Sequence, residues 1–196
     1  MSRLRKGTVS RKTGETEINL TVDLDGTGAF RIQTGLPFFE HMLQLFAKHA
    51  SFDLEIAAQG DLAVDGHHTV EDAGICLGRA IKEALGGKQG IKRYGSAIIP
   101  MDEALALVAV DLSGRGFLAF DAPMPAQRVG DFETELVEEF LRAVAMNGEF
   151  NLHVRLLAGK NTHHIIESIF KALGHSLREA VAASGMSGIP TTKGVL

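Results

Sequence analysis

The chain has 196 residues, 45% of them apolar and 22% charged, with 20 Lys+Arg against 24 Asp+Glu and a formal net charge of −4. This composition supports a packed core and excludes a disordered or fibrous chain. The slightly acidic balance leaves no overall basic field for nucleic acid or an anionic membrane, so neither is expected as a partner.

The basic start, Arg3, Arg5 and Lys6, runs into Thr8, Ser10, Arg11 and Lys12 instead of an apolar segment, so no secretory signal is expected. Glu15 to Leu24 alternates as a strand and reaches Asp25-Gly26, which reads as a hairpin turn. Leu36, Phe39, Leu43, Phe46 and Ala50 fall at helical spacing, with Pro37 suited to a first turn. Phe52, Leu54, Ile56 and Ala58 alternate again as a half-buried strand. Val70, Gly74, Leu77, Ile81 and Leu85 then mark one face of a second helix. The remainder repeats this grammar: a strand to Leu112, a turn and another strand, and a helix carrying Leu136, Phe140 and Val144. A strand over Phe150 to Leu157 and a helix from about His163 to Ala183 follow. The longest apolar stretch, Ala104 to Val110, is too short to span a bilayer. With Cys76 the only cysteine and no internal disulfide possible, the expected location is the cytoplasm.

The grammar repeats because the sequence does. Val22-Asp23-Leu24 recurs as Val110-Asp111-Leu112, Phe52-Asp53-Leu54 as Phe150-Asn151-Leu152, and His67-His68-Thr69-Val70-Glu71 as His163-His164-Ile165-Ile166-Glu167. The offsets, 88, 98 and 96, differ only by loop-sized insertions. The expected fold is therefore α+β, a tandem duplication of a β-β-β-α-β-α unit whose helices cover one face of a sheet in two layers. The repeats are assigned to residues 1–90 and 91–184, with the seam near Gly86 to Tyr94 and a separate Gly/Pro tail over 185–196.

The chemistry gathers on the histidines. In His-His-x-x-Glu on a helix, Glu71 shares a face with His67 and His68, while the adjacent histidines diverge by about 100° and can serve two centres. Chance predicts about 0.02 such matches in this chain, and two occur at equivalent points of the repeat. Imidazole and carboxylate ligands without a nearby Cys suit Mn, Fe, Zn or Ni in higher coordination better than a structural Zn site. His41 on the first helix, and Glu139 at its equivalent 98 positions on, add a third candidate ligand to each set. Arg93, Arg115 and Lys171 are candidate anion ligands. Thr191-Thr192-Lys193, in the Gly/Pro tail, has the hydroxyls, amides and cation of an anion-binding loop.

Long stretches of the chain resemble one family, the imidazoleglycerol-phosphate dehydratases. They are Leu36-Pro37-Phe38-Phe39-Glu40-His41-Met42-Leu43, Asp65 to Asp72, Leu112-Ser113-Gly114-Arg115, Asn161 to Glu167 and Ile189 to Leu196. The resemblance implies two β-β-β-α-β-α halves with left-handed crossovers, like a domain of small-subunit ribosomal proteins. It implies two Mn(II) ions per active site, a phosphorylated imidazole substrate and a homo-oligomer of 24 subunits. Carried onto this sequence, the ligands are His41, His67, His68, Glu71, His163, His164 and Glu167, with the last position on Glu139, where relatives carry His. Phosphate and substrate contacts fall on His49, Arg93, Arg115, Lys171, Thr191, Thr192 and Lys193, and the acid–base candidate on Glu15. The reaction implied is loss of water from imidazole glycerol phosphate to give imidazole acetol phosphate. Apart from the resemblance, paired metals also fit a hydrolase of a phosphorylated small molecule, or a metal-storage shell.

Overall fold

A computed structural model describes residues 5–186, 188–192 and 194 of the chain. The first half runs β1 (Lys6–Lys12), β2 (Thr16–Asp23), β3 (Phe30–Gln33), α1 (Pro37–Ala50), β4 (Asp53–Gly60) and α2 (His67–Leu85). The second runs β5 (Tyr94–Met101), β6 (Ala104–Asp111), β7 (Phe117–Asp121), α3 (Leu136–Gly148), β10 (Asn151–Ala158) and α4 (Thr162–Val181). Between β7 and α3 it adds a short ribbon, β8 (Arg128–Val129) with β9 (Phe132–Glu133), that periodicity did not reveal. The two four-stranded sheets have the same order, β1-β2-β4-β3 and β5-β6-β10-β7. The duplicated β-β-β-α-β-α unit is thus present in the fold.

One expectation fails in both halves. Asp25-Gly26 does not close a hairpin: β2 pairs with β1 on one side and β4 on the other, and β3 lies beyond β4, parallel to it. The connection instead crosses the start of β4, held there by Asp53, whose Oδ1 accepts the N–H groups of Thr27 (2.8 Å) and Ala29 (2.9 Å). Gly26 allows the crossing, since a Cβ there would stand 2.3 Å from the Asp53 amide nitrogen. The true hairpin is β1–β2, with Glu15 in its turn just ahead of the strand, where Thr13 Oγ1 accepts the Glu15 and Thr16 amides.

The halves join through their helices. α2 packs on β1 and β2, α4 on β5 and β6, and the closest helix pairs are α2 with α3 and α1 with α4, each taken from opposite halves. The helices therefore form the inner layers between two outer sheets, around one continuous core that crosses the seam. Two glycines 96 positions apart permit the close helix crossings. A Cβ on Gly78 would lie 2.5 Å from the Val144 carbonyl oxygen, and one on Gly174 would lie 2.9 Å from the Phe46 oxygen and the Ala50 nitrogen. Each half lends the other the partner its second helix needs. Among the described residues no helix is long and apolar enough to cross a membrane.

Candidate metal centre

The α1–α4 crossing assembles the clearest site. Pro37 opens α1, and Glu40 Oε1 accepts the Thr34 and Gly35 amides (2.6 and 3.0 Å), fixing the entry that presents His41 one turn later. On α4, Asn161 caps the N-terminus by accepting the His163 (2.9 Å) and His164 (3.4 Å) amides. Asp65, 96 positions earlier, lies one residue ahead of the α2 N-cap, Gly66, and accepts the His67 amide alone at 2.8 Å. Both His-His pairs therefore sit on the first turn of a helix, but only α4 has a side-chain cap; α2 starts from Gly66 without one.

One ring nitrogen each of His41 and His163 and a Glu167 oxygen lie within 4.8 Å of one another, the one such group of three among the described residues. Glu167 Oε2 is 3.2 Å from His163 Nε2 and 3.7 Å from His41 Nε2. Its other oxygen pairs with Lys171 Nζ at 2.7 Å. Burial alone would raise the pKa of Glu167, but the Lys171 hydrogen bond and charge, with His163 and His41, hold it below the usual glutamate range. Two imidazole nitrogens and one ionised carboxylate oxygen, converging within one ion's reach, fit a divalent first-row metal.

A stripe of polar side chains continues along the same crossing. Stepping four residues at a time down α4 from Glu167 and Lys171 leads to His175, whose Nε2 lies 3.2 Å from His49 Nδ1 on α1. Burial, then the positive character of His175 and Lys171, pushes the His49 pKa down. His175 escaped the sequence reading, although its helical spacing from Lys171 carried the signal.

The other candidates are distributed differently. His67, Glu71 and Glu139 are the repeat equivalents of His163, Glu167 and His41 and lie half-buried on α2 and α3, without the same three-way approach. His68 and His164 make their closest side-chain contacts with carboxylates away from the triad. Asp61 Oδ2 lies 2.9 Å from His68 Nδ1, and Glu103 Oε2 lies 2.7 Å from His164 Nδ1. Each contact raises its histidine's pKa, and Glu103, which also accepts the Asn161 and Lys160 amides, falls to about 2. Neither acid was foreseen, although Glu103 stands 88 positions after Glu15, the repeat's own offset.

Glu15 is exposed, with its carboxylate 3.7 Å from His68 Nδ1. Arg115 lies exposed on the loop that crosses β10, where its carbonyl accepts Asn151 Nδ2 at 3.0 Å. Its guanidinium has no hydrogen bond or ion pair among the described residues. Arg93 is committed elsewhere: it grips Asp111 with two nitrogens (2.7 and 3.2 Å) and the Pro190 carbonyl with a third (2.8 Å), tying the tail to β5 and β6. Thr191 is half-buried and Thr192 exposed beyond that tie. Lys193 lies outside the described residues.

A family model for imidazoleglycerol-phosphate dehydratase matches residues 34–177. The imidazoleglycerol-phosphate dehydratase of Pelotomaculum thermopropionicum is 70% identical over 192 residues, with 98% of each chain covered. That of Desulforudis audaxviator is 64% identical over 193 residues, again with 98% of each covered. The crystal structure of the Staphylococcus aureus enzyme superposes with a TM-score of 0.83 at 43% identity, covering 91% of this chain and 99% of that one. The Pyrococcus furiosus enzyme, crystallised with (S)-C348, gives 0.84 at 38% identity, covering 96% and 100%. With the motifs, the fold and these likenesses in agreement from end to end, the chain belongs to the imidazoleglycerol-phosphate dehydratase family.

Proposed function

We propose that this dehydratase of histidine biosynthesis converts imidazole glycerol phosphate to imidazole acetol phosphate and water, and that it depends on two Mn(II) ions per active site. The observation that carries the metal reading is the convergence of His41, His163 and Glu167, with both Nε2 atoms close to Glu167 Oε2. His67, His68, Glu71, Glu139 and His164 would complete the ligand sets. When bound, the metal would hold the substrate's imidazole and stabilise negative charge on its ring.

The residues of the chain divide the remaining work. Loss of water breaks the C–O bond next to the ring and a C–H bond on the neighbouring carbon, and the enol left behind takes a proton on the ring-side carbon to become the ketone. We assign the movement of those protons to Glu15, whose carboxylate is exposed and accepts no hydrogen bond among the described residues. Arg115, whose guanidinium is uncommitted among the described residues, and Thr191, Thr192 and Lys193 of the tail would bind the phosphate. Lys171 supports Glu167, and His49 would line the far end of the substrate face.

We further propose a homo-oligomer of 24 subunits, acting in the cytoplasm. The divergence of the two repeats supports assembly. On the outer face of the second sheet Ile98, Phe117 and Leu157 are 55%, 53% and 50% exposed. The equivalent positions of the first half are Ser10, Ala29 and Gln59. The first sheet thus carries small or polar residues where the second exposes large apolar ones, a surface suited to burial.

The test is the full chain, stripped of metal and then supplied with Mn(II) and imidazole glycerol phosphate. Imidazole acetol phosphate should form only after Mn(II) is added, and light scattering should report a particle far larger than one chain. Undiminished turnover in the stripped protein would refute metal dependence. A monomer under assay conditions would refute the assembly.

A further inference from the structure

His68 and His164 are each held at Nδ1 by a carboxylate, but the two carboxylates come from different places in the repeat. For His164 it is Glu103, in the turn between β5 and β6, at 2.7 Å. The repeat equivalent of Glu103 is Glu15, in the turn between β1 and β2, yet Glu15 stands off at 3.7 Å and leaves the close contact to Asp61, at the end of the β4 region, at 2.9 Å. The same contact has been built twice from unrelated positions, so the contact, and not the ancestry of the residue, is what both halves preserve.

An ionised carboxylate only accepts hydrogen bonds, so a ring nitrogen in contact with one must carry the proton. We propose that Glu103 and Asp61 are positioning residues that lock His164 and His68 in the Nδ1–H tautomer, leaving each Nε2 lone pair directed outward to ligate a metal. This rests on the metal reading above. It also accounts for the different fates of the two turn glutamates. With Asp61 holding His68, Glu15 is released for proton transfer, whereas Glu103 is occupied by His164 and by the Asn161 (2.7 Å) and Lys160 (3.2 Å) amides and cannot share that role.

The surroundings make the two sites respond differently to the same chemical change. Both backbone amides bind Glu103 Oε1, while His164 binds Oε2. In Glu103→Gln the two N–H donors would keep the amide oxygen at the Oε1 position and force the NH2 group toward His164 Nδ1. The imidazole must then accept at Nδ1 and carry its proton on Nε2, where Asp102, with an oxygen 3.7 Å away, favours it. A protonated Nε2 is no ligand. Asp61 differs because its second oxygen, Oδ1, is buried and has no hydrogen-bond partner among the described residues. The side chain of Asp61→Asn can therefore turn its oxygen to His68 and preserve the tautomer.

The experiment titrates the metal-free full chain with Mn(II) alone, following free Mn(II) by electron paramagnetic resonance, beside thermal unfolding of the same metal-free samples. Removing the support in Glu103→Ala or Asp61→Ala should weaken Mn(II) binding by about 10–100-fold, as for other partners of metal-bound histidines. Glu103→Gln should bind more weakly still than Glu103→Ala, with its metal-free melting temperature nearer wild type. Asp61→Asn should stay within about threefold of wild type on the same scale. Equal Mn(II) affinity in Glu103→Gln and wild type, or a loss smaller than in Glu103→Ala, would overturn the tautomer lock alone. Wild-type protein that binds no Mn(II) would overturn it together with the metal reading. If Glu103→Gln fails to fold, the Asp61→Ala and Asp61→Asn pair decides, and equal losses in the two would overturn the proposal.

Discussion

Gly174→Ala should damage the metal centre more than it damages the fold. The new Cβ would stand 2.9 Å from two backbone atoms of α1, the Phe46 oxygen and the Ala50 nitrogen, and 3.2 Å from the His49 carbonyl carbon. Backbone atoms cannot swing aside, and ordinary contact begins near 3.4 Å, so α1 and α4 must part by about 0.5 Å. Overpacking of this kind costs about 1–3 kcal/mol, and replacing a helical glycine by alanine returns about 1 kcal/mol. The net loss of about 1 kcal/mol lowers the melting temperature of a chain this size by roughly 3 °C. The ligands are less tolerant. Glu167 lies two turns from Gly174 on the same helix, and His41 lies on the helix being displaced. Metal–ligand distances hold to about 0.2 Å, so a 0.5 Å parting should weaken Mn(II) binding at least about tenfold. Val22→Ala serves as the control: the residue is fully buried on β2, away from this crossing, and its truncation costs about 2 kcal/mol. Metal titration and thermal unfolding should show Gly174→Ala with the smaller loss of stability and the larger loss of Mn(II) affinity. Wild-type Mn(II) affinity in Gly174→Ala would show that the helix spacing does not control the triad.

Glu15→Gln should keep Mn(II) binding and assembly while kcat falls about 10²–10⁴-fold, because a proton carrier is lost and no ligand is touched; near wild-type kcat would remove Glu15 from the reaction. Arg115→Ala should raise KM by about 10–100-fold through loss of a charge-assisted phosphate contact of about 1.5–3 kcal/mol, and an unchanged KM would place the phosphate elsewhere. His49 has a depressed pKa, so the unfolded chain takes up its proton at higher pH than the native one. The native state is therefore progressively destabilised by this group as pH falls from about 6.5 through the lowered value. His68 and His164, with raised pKa values, act in the opposite sense: their stabilisation is complete below about pH 6.5 and is lost as pH rises through their native values. The contrast with wild type isolates His49, and metal-free His49→Gln should lose less melting temperature between pH 7 and 5; parallel curves would refute the assignment.

Local pattern was enough for whatever depends on neighbours along the chain. The apolar spacing in α1, α2, α3 and α4 and the alternation in β2, β4, β6 and β10 follow from which face each element must bury, and that information is periodic in the sequence. The duplication was legible for the same reason, as was the pairing of His67 with Glu71 and His163 with Glu167 on one helix face. Strand order was not. An Asp-Gly turn looks alike whether the chain folds back beside β2 or crosses β4 to its far edge, and the decision rests with Asp53, a residue distant in sequence that captures the loop amides. Nor could spacing reveal that His41 meets the second copy's His163 and Glu167, because that depends on α1 packing against α4 where Gly174 lets the backbones approach. Arg93 read as a candidate anion contact, and its pairing with Asp111 and the Pro190 carbonyl is set by tertiary contact alone. The repeat offset from Glu15 marked Glu103, but that it meets His164, and that Asp61 meets His68, is set by tertiary contact where the β5–β6 turn and the β4 region come to rest beside the helix ends.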